Sequence, residues 1–339
     1  MKVLIIRFSS IGDIVLTSPI VRCLKEQGQD MQVHYLTKSS FRPVVAHNPY
    51  IDKCHYLEDN LDALIGDLKK EKYDYIIDLH HNIRTLKVKR ALKCTAYSFP
   101  KLNVQKWVLV NFKKNLLPDK SIVERYFEAV KPLGIKNDGK GLDYFIGEKD
   151  EITNRDIPMS HWAGYLACVI GGSYATKKYP VDKWKELCSM SQYPVILLGG
   201  PEDRKDGDDI AEIDKVKVYN ACGKFSLNES AALVKYSKVV ISNDTGLMHI
   251  AAAYKKPVVS LWGNTVPQLG MFPYYGYNNI ETNSYPFSYI VENNSIDCRP
   301  CSKIGFESCP KGHFKCMNEL ENTKIINVVN KFWTNPNLR

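Results

Sequence analysis

The sequence lacks the features that define several large classes of protein. None of its 339 residues belongs to a run of about 20 consecutive apolar residues, so no transmembrane helix is expected. The apolar start of the chain, residues 2–8, contains Arg7 and leads into Gly12 and Asp13, which is typical of a buried strand and a loop rather than a signal peptide. We therefore expect a cytoplasmic protein whose ten cysteines are mostly reduced or metal-bound.

Other signatures are also missing. The first predicted strand is not followed by Gly-x-Gly-x-x-Gly, which disfavours an oxidoreductase that uses a dinucleotide. No zinc-finger, helix-turn-helix or RNA-binding aromatic motif is present, so nucleic acid is not an expected partner. No Asp/His constellation of an open metal site is apparent, so no cofactor is expected for catalysis.

The positive charge of the chain is concentrated in one window. The net charge is +9, and residues 69–140 alone hold 17 Lys and Arg against 7 Asp and Glu. Such a window is either a well-solvated surface or an electropositive face for an acidic lipid, a phosphorylated glycan or nucleic acid.

Short apolar runs alternate with amphipathic stretches along the whole chain. Runs such as Val195–Leu198, rich in β-branched residues and leucine, are typical of strands buried on both faces of a parallel sheet. Their repeated alternation with helices predicts a doubly wound α/β architecture. The predicted strands are residues 2–8, 31–36, 73–79, 165–170, 194–198, 239–242 and 257–261.

The length of the chain predicts two domains. Residues 136–160 are rich in Gly, Asp, Asn and Pro, and the strand–helix pattern restarts after them. We therefore predict one Rossmann-like domain over residues 1–155 and a second over 156–317. Residues 318–339 are predicted to form a terminal helix that could pack back on the first domain.

Loops that directly follow strands are the expected sites of chemistry, because ligands of open α/β sheets bind at the carboxyl ends of the strands. The first such loop is Ser9–Asp13. Asp13 would either cap the helix that follows or stand at the interdomain cleft as a general base.

Two further loops begin with paired glycines. Gly171–Pro180 carries Lys177 and Lys178, and glycines next to positive charge suit a phosphate site, although adjacent lysines are usually solvated. The other loop reads Gly-Gly-Pro-Glu over Gly199–Glu202. Its carboxylate would accept hydrogen bonds from a ribose diol, or the loop is only a turn before a capped helix.

The most specific loop is Ser242–His249. The backbone amides of Thr245, Gly246 and Leu247 would be unpaired at a helix start and would form a cradle for a diphosphate. Asp244 would fix a sugar hydroxyl, and His249 would face the same end of the helix, although a lone histidine on a helix is more often a packed residue.

Together these motifs resemble glycosyltransferase family 9, the ADP-heptose:lipopolysaccharide heptosyltransferases. The matching segments follow in family order from residue 2 to about 316: Ser10–Asp13, Asp78–Arg84, Lys177–Pro180, Gly199–Glu202, Asn243–His249 and Leu261–Pro267. The resemblance implies a GT-B fold of two Rossmann-like domains that face each other across a cleft. It also implies an inverting transfer that needs no metal.

The resemblance assigns roles to individual residues. Asp13 would take the proton from the acceptor hydroxyl, and Lys177 with the Thr245 and Gly246 amides would stabilise the leaving diphosphate. The donor-binding residues would be Ser173, Lys177, Glu202, Phe225, Asp244, Thr245, Gly246 and His249. The acceptor-binding residues would be Ser10, Gly12, Asn82 and Arg84.

The expected substrates follow from the same resemblance. The donor would be a nucleotide-diphosphate sugar, with an ADP-sugar favoured, and the acceptor an anionic lipid-linked glycan of the lipopolysaccharide core. The basic window would then meet the inner leaflet, with Arg84, Lys87, Lys89 and Arg90 on one helical face. Alternatives are another inverting GT-B enzyme with a different donor or acceptor, and a non-catalytic nucleotide-sugar-binding protein, against which the presence of Asp13 argues.

The densest use of cysteine lies near the end of the chain. Cys298, Cys301, Cys309 and Cys316 follow the spacing Cys-x2-Cys-x7-Cys-x6-Cys. A short Cys-x2-Cys pair followed by two further ligands suits a structural Zn²⁺ ion. Disulfides and free buried thiols remain alternatives.

Overall fold

Two parallel β-sheets organise the chain in a computed structural model that describes residues 1–276 and 288–335. The first sheet has the strand order β3-β2-β1-β4-β5. Its strands are β1 (Lys2–Ile6), β2 (Gln32–Lys38), β3 (Lys53–Leu57), β4 (Tyr75–Asp78) and β5 (Thr95–Ser98). Its helices are α1 (Ile11–Val15), α2 (Ser18–Gln27), α3 (Arg42–Val45), α4 (Leu61–Glu71), α5 (Ile83–Leu92), α6 (Asn103–Phe112) and α7 (Ile122–Phe127).

The second sheet has six strands in the order β11-β10-β9-β6-β7-β8. They are β6 (Leu166–Val169), β7 (Val195–Leu198), β8 (Val218–Asn220), β9 (Val239–Asn243), β10 (Val258–Trp262) and β11 (Ser288–Glu292). The accompanying helices are α8 (Val181–Met190), α9 (Arg204–Ala211), α10 (Leu227–Tyr236), α11 (Gly246–Ala253), α12 (Lys315–Asn318) and α13 (Asn322–Thr334).

Both faces of each sheet are buried, which confirms the doubly wound α/β architecture. In β1, Val3 and Ile5 belong to one apolar cluster, whereas Leu4 and Ile6 belong to another. Successive side chains of a strand point to opposite faces, so each face of the sheet has its own core. Because both faces are buried, the sequence of β1 does not alternate between apolar and polar residues.

The terminal helix α13 packs on the second domain, against α8, β9 and β10. Ile325, Val328 and Val329 join the core of that domain, and the indole of Trp333 stacks on Tyr193 at a centroid distance of 3.8 Å. The expectation that this helix packs back on the first domain is therefore wrong. The apolar face of α13 is already covered by the sheet of the second domain, which precedes the helix in sequence.

The two domains meet where α1 and α11 begin. A β-carbon added to Gly12 would lie 2.6 Å from His249 Cδ2, and one added to Gly246 would lie 2.7 Å from Ile11 Cγ2. Only glycine allows the two helix starts to approach this closely.

Within the described part of the chain, none of the helices combines the length and apolarity needed to cross a bilayer.

Candidate active site

A cavity of about 840 Å³ lies between the two domains, at the carboxyl ends of β1, β6, β7 and β9. Its position follows from the topology, because the loops after these strands converge on one cleft. Eleven of the predicted site residues line it: Ser10, Gly12, Asp13, Ser173, Lys177, Glu202, Phe225, Asp244, Thr245, Gly246 and His249.

Asp13 has both of the roles that the sequence left open, helix cap and carboxylate of the cleft. One of its oxygens, Oδ2, accepts hydrogen bonds from the Ser10 amide at 3.1 Å and the Ser10 hydroxyl at 2.8 Å, as a helix cap does. The other, Oδ1, lies 2.5 Å from a guanidinium nitrogen of Arg7. Asp13 therefore caps the start of α1 and also faces the cavity.

The charge of Asp13 is set by two opposing influences. Burial is the largest influence and acts to raise the pKa of the carboxyl. The positive charge of Arg7 and the hydrogen bonds from Ser10 outweigh it, and the net result is a lowered pKa. The carboxyl is therefore ionised at neutral pH and able to accept a proton.

Across the cavity, Lys177 ends a 3₁₀ turn over Ala175–Lys177. Its ammonium lies 2.6 Å from Asp244 Oδ2, the same oxygen that accepts a hydrogen bond from the Thr265 hydroxyl at 2.9 Å. Asp244 directly follows β9. Lys177 and Asp244 thus place one cation and one carboxylate in fixed positions beside the start of α11.

The start of α11 presents backbone amides to the cavity. Thr245 is the N-cap residue, and its side chain makes no capping hydrogen bond. The first-turn amides of a helix have no partner within the helix, and Thr245, Gly246 and Leu247 all line the cavity. These amides and the positive end of the helix dipole suit an anion such as a diphosphate.

His249 lies one turn into the same helix and is 2% exposed. Burial lowers the pKa of its imidazole to about 4, so the ring is neutral at physiological pH. Its Nδ1 has no hydrogen-bond partner among the described residues. Other atoms of His249 line the cavity.

Glu202, which ends the Gly-Gly-Pro-Glu loop, and the adjacent Asp203 have different environments. Asp203 is buried and fully engaged, because it accepts from the Gly200 amide at 2.9 Å and pairs with Lys178 at 2.5 Å. Glu202 is exposed and lines the cavity. Glu202 is therefore the available carboxylate, and Lys178 is not free to act beside Lys177.

Sequence reasoning missed a group of basic residues on the first-domain side of the cavity. Arg7, Lys101 and Lys106 line it, and Lys303 reaches it from the second domain. Burial lowers the pKa of Lys106 to about 8, and burial also lowers the pKa of Lys101. The basic window contains Lys101 and Lys106, but nothing in their spacing indicated that they turn inward.

Two predicted acceptor residues lie outside the cavity lining. The Asn82 side chain caps α5 by accepting from the Thr85 amide at 3.0 Å, and Arg84 is exposed on the surface. The proposed basic face of α5 does not include Lys89. Lys89 turns inward to the buried Asp78 at 2.8 Å, while Lys87 pairs with Asp62 at 2.7 Å.

Cys298, Cys301 and Cys309 lie on the loop between β11 and α12, and Cys316 lies in α12. All four are free, as are the other six in the chain. Cys298 Sγ lies 3.9 Å from His313 Nε2, and Cys301 donates to the Cys298 carbonyl at 3.1 Å. The described residues contain one group of three or more potential ligand atoms within 4.8 Å of one another, and it is not this quartet. A zinc ion at these cysteines therefore stays a prediction.

Comparison with solved structures defines the fold. The chain aligns with E. coli ADP-heptose lipopolysaccharide heptosyltransferase II at a TM-score of 0.72 and 17% identity, over 98% of both chains. It aligns with E. coli heptosyltransferase WaaC, determined with ADP, at a TM-score of 0.68 and 19% identity, over 98% of this chain and 100% of that one. The fold is the GT-B fold of glycosyltransferases, as predicted.

The family follows from the sequence itself. Residues 62–286 match the model of glycosyltransferase family 9 (heptosyltransferase), so the chain belongs to that family. It is also 25% identical to lipopolysaccharide heptosyltransferase 1 of Campylobacter coli, over 78% of this chain and 84% of that protein. The family assignment made from the strand-end motifs is confirmed, and the protein is a glycosyltransferase.

Proposed function

We propose that this glycosyltransferase moves heptose, or a related sugar, from an ADP-linked donor to the lipopolysaccharide core with inversion at the anomeric carbon. One observation carries the proposal: an ionised carboxylate, Asp13, shares a cavity with Lys177 and the helix-start amides of α11. The carboxylate would remove the proton of the acceptor hydroxyl. The cation and amides would stabilise the departing diphosphate.

The donor would lie against the second domain. Its diphosphate would meet the amides of Thr245 and Gly246, with Ser173 and Lys177 beside it. Glu202 would accept hydrogen bonds from the ribose, and Phe225 would pack on the base. These residues line one cavity, and a relative of the same fold has been determined with ADP. Lys177 and the amides balance the leaving charge, so we propose no metal for catalysis.

The acceptor would lie against the first domain. Arg7, Lys101, Lys106 and Lys303 surround this end of the cavity with positive charge. Partly buried cations are most stable when an anion binds them. This supports an acceptor whose phosphate or carboxylate groups lie close to the hydroxyl that attacks the donor.

The surface beside this site supports contact with a membrane. Val104, Trp107 and Phe112 of α6 and the nearby Leu116 are at least half exposed, and Trp107 packs edge-on against Phe112. Lys113 and Lys114 stand next to them. Apolar and basic side chains together suit an interface with anionic lipids. We therefore propose a cytoplasmic enzyme that binds peripherally to the inner leaflet.

The zinc prediction forms a separate part of the proposal. Zinc would be structural and would gather the thiolates of Cys298, Cys301, Cys309 and Cys316. Metal analysis of the purified protein and of a C298S/C301S variant tests it. The first should hold one more equivalent of zinc than the second, and equal zinc contents would refute it.

Two measurements test the transfer itself. A panel of nucleotide diphosphates should raise the melting temperature with ADP but not with UDP or GDP. The Asp13→Asn variant should keep the ADP-induced shift and lose transfer by about 10²–10⁴-fold, because only the general base is removed. Loss of ADP binding together with transfer would show that Asp13 supports the fold rather than the chemistry. Undiminished transfer would refute its role as base.

A further inference from the structure

Three polar side chains converge in the first domain, away from the cavity. His34 lies in β2, His55 lies in β3, and Tyr73 precedes β4. All three are buried, with 4%, 8% and 8% of their surfaces exposed. Glu71, the last residue of α4, lies beside them with 16% of its side chain exposed.

The distances among these groups are short. His55 Nε2 lies 3.3 Å from His34 Nδ1, and the Tyr73 hydroxyl lies 2.9 Å from each of these nitrogens. Glu71 Oε2 lies 3.9 Å from His34 Nδ1. Among the described residues, His34, His55 and Glu71 form the one set of three potential ligand atoms that all lie within 4.8 Å of one another.

Hydrogen bonding accounts for two of these three short contacts. An imidazole nitrogen either carries a proton or offers a lone pair, and the tyrosine hydroxyl supplies one proton. The three atoms can therefore form at most two well-directed hydrogen bonds for their three contacts. When the Tyr73 hydroxyl bridges the two rings, each nitrogen has a partner, and the 3.3 Å approach of His34 Nδ1 to His55 Nε2 is the contact that these two hydrogen bonds leave over.

The same geometry suits a tetrahedral metal ion. With Zn–N bonds of about 2.0–2.1 Å, two ligand nitrogens are separated by about 3.3–3.4 Å, which is the separation of His34 Nδ1 and His55 Nε2. A neutral imidazole offers a lone pair on one of its two ring nitrogens, so His34 Nδ1 and His55 Nε2 can both be ligand atoms.

We propose that His34, His55 and Glu71 bind a divalent transition-metal ion such as Zn²⁺, with the Tyr73 oxygen available as a fourth ligand. Two imidazoles with carboxylate and phenol oxygens form a donor set that zinc accepts. The site joins β2, β3 and the segment between α4 and β4. An ion there would brace this edge of the sheet and take no part in transfer.

Two lysines compete with the ion for Glu71. Lys2 binds Oε2 at 2.9 Å and Lys53 binds Oε1 at 2.5 Å. The ion would bind Oε2, the oxygen nearer to His34 Nδ1, and would displace Lys2. Removing the Lys2 ammonium should therefore strengthen metal binding.

Co²⁺ titration of the full chain after metal removal by a chelator tests the site, because thiolate ligands add a charge-transfer absorption that nitrogen and oxygen ligands lack. The C298S/C301S variant separates this site from the cysteines and serves as the parent. In it we expect one Co²⁺ per chain, no thiolate band, and a higher melting temperature with Co²⁺ than without. If the parent binds no ion, the proposal is overturned.

His55→Gln in this parent should weaken Co²⁺ binding at least tenfold, whereas His47→Gln, on the surface, should leave it unchanged. Equal binding by the His55 variant would show that the ion lies elsewhere. If that variant does not fold, Lys2→Met decides the question. Tighter Co²⁺ binding than in the parent supports the site, and unchanged or weaker binding overturns it.

Discussion

At the residue scale, Asp13 shows how one side chain serves both structure and chemistry. Its Oδ2 accepts the Ser10 hydrogen bonds that start α1, while its Oδ1 faces Arg7 at the cavity. Fixing a carboxylate by such bonds limits its rotation and keeps it ionised. Arg7 is therefore a positioning residue, because it acts on the reaction through Asp13.

Arg7→Gln should change the pH dependence of transfer. A base works only when ionised, so activity is lost as the pH falls through the pKa of Asp13. Arg7 lowers that pKa, whereas burial raises it. Without Arg7 the pKa rises, and the acidic limb of the kcat/KM profile should move to higher pH.

The pH–rate profile of each variant measures this effect. Arg155→Gln, which removes an exposed cation outside the cavity, is the matched control and should leave the acidic limb in place. An Arg7 variant with reduced activity but an unmoved limb would contradict a role through the charge of Asp13.

At the element scale, α6 has two faces with different roles. Lys106 faces the cavity and Leu109 is buried, while Val104 and Trp107 are exposed by 72% and 57%. A cluster of exposed large apolar side chains next to basic ones indicates a binding surface for another molecule or a membrane. A membrane on the outer face would bring a lipid-linked acceptor to the inner face of the same helix.

Replacing the exposed aromatic residue of this helix should weaken membrane binding. Trp107→Ser should reduce binding to vesicles that contain anionic lipid, because it removes the apolar contact and leaves the lysines in place. Co-sedimentation with vesicles measures the bound fraction. Trp162→Ser, which removes a 49% exposed tryptophan elsewhere, should bind like the wild type, and equal losses in both variants would contradict the prediction.

At the scale of the whole molecule, the active site depends on how closely the two domains approach. Ile11 and Gly12 of the first domain touch Gly246 of the second, and the catalytic groups lie on either side of this contact. A change of about 1 Å in such a geometry costs roughly 10² in rate.

Gly246→Ala should therefore slow transfer by about 10²-fold while leaving ADP binding intact. The new β-carbon would lie 2.7–2.8 Å from two Ile11 carbon atoms and 3.3 Å from the Gly12 amide nitrogen, so α11 must move away from α1. The alanine keeps the backbone amide that would bind the diphosphate. Transfer rates and ADP titration measure the two effects separately.

Gly66→Ala is the matched control for that substitution. Gly66 is exposed within α4, and an added β-carbon would meet no atom within 4 Å. It should leave transfer unchanged and stabilise the fold by about 0.5–1 kcal/mol, because alanine loses less backbone freedom than glycine in a helix. A Gly246 variant as active as this control would contradict the close-approach argument.

Seven strands could be predicted from sequence because they are apolar runs buried on both faces. β3, β5, β8 and β11 were not predicted, since they are short or carry polar residues such as Lys53, Thr95 and Asn220. Residues 11–27 form two helices rather than one, because Pro19 starts α2 anew after α1 ends at Val15.

The sequence by itself determined the architecture, the family and the residues that follow β1, β6, β7 and β9, because strand burial and strand-end loops are local properties of the chain. Only the tertiary structure decided which charges meet. It paired Lys178 with Asp203 and Lys89 with Asp78, turned Lys106 into the cavity, and brought His34 next to His55. Such pairings depend on distances between side chains in space. The spacing of residues along the sequence does not encode these distances when the residues belong to different elements.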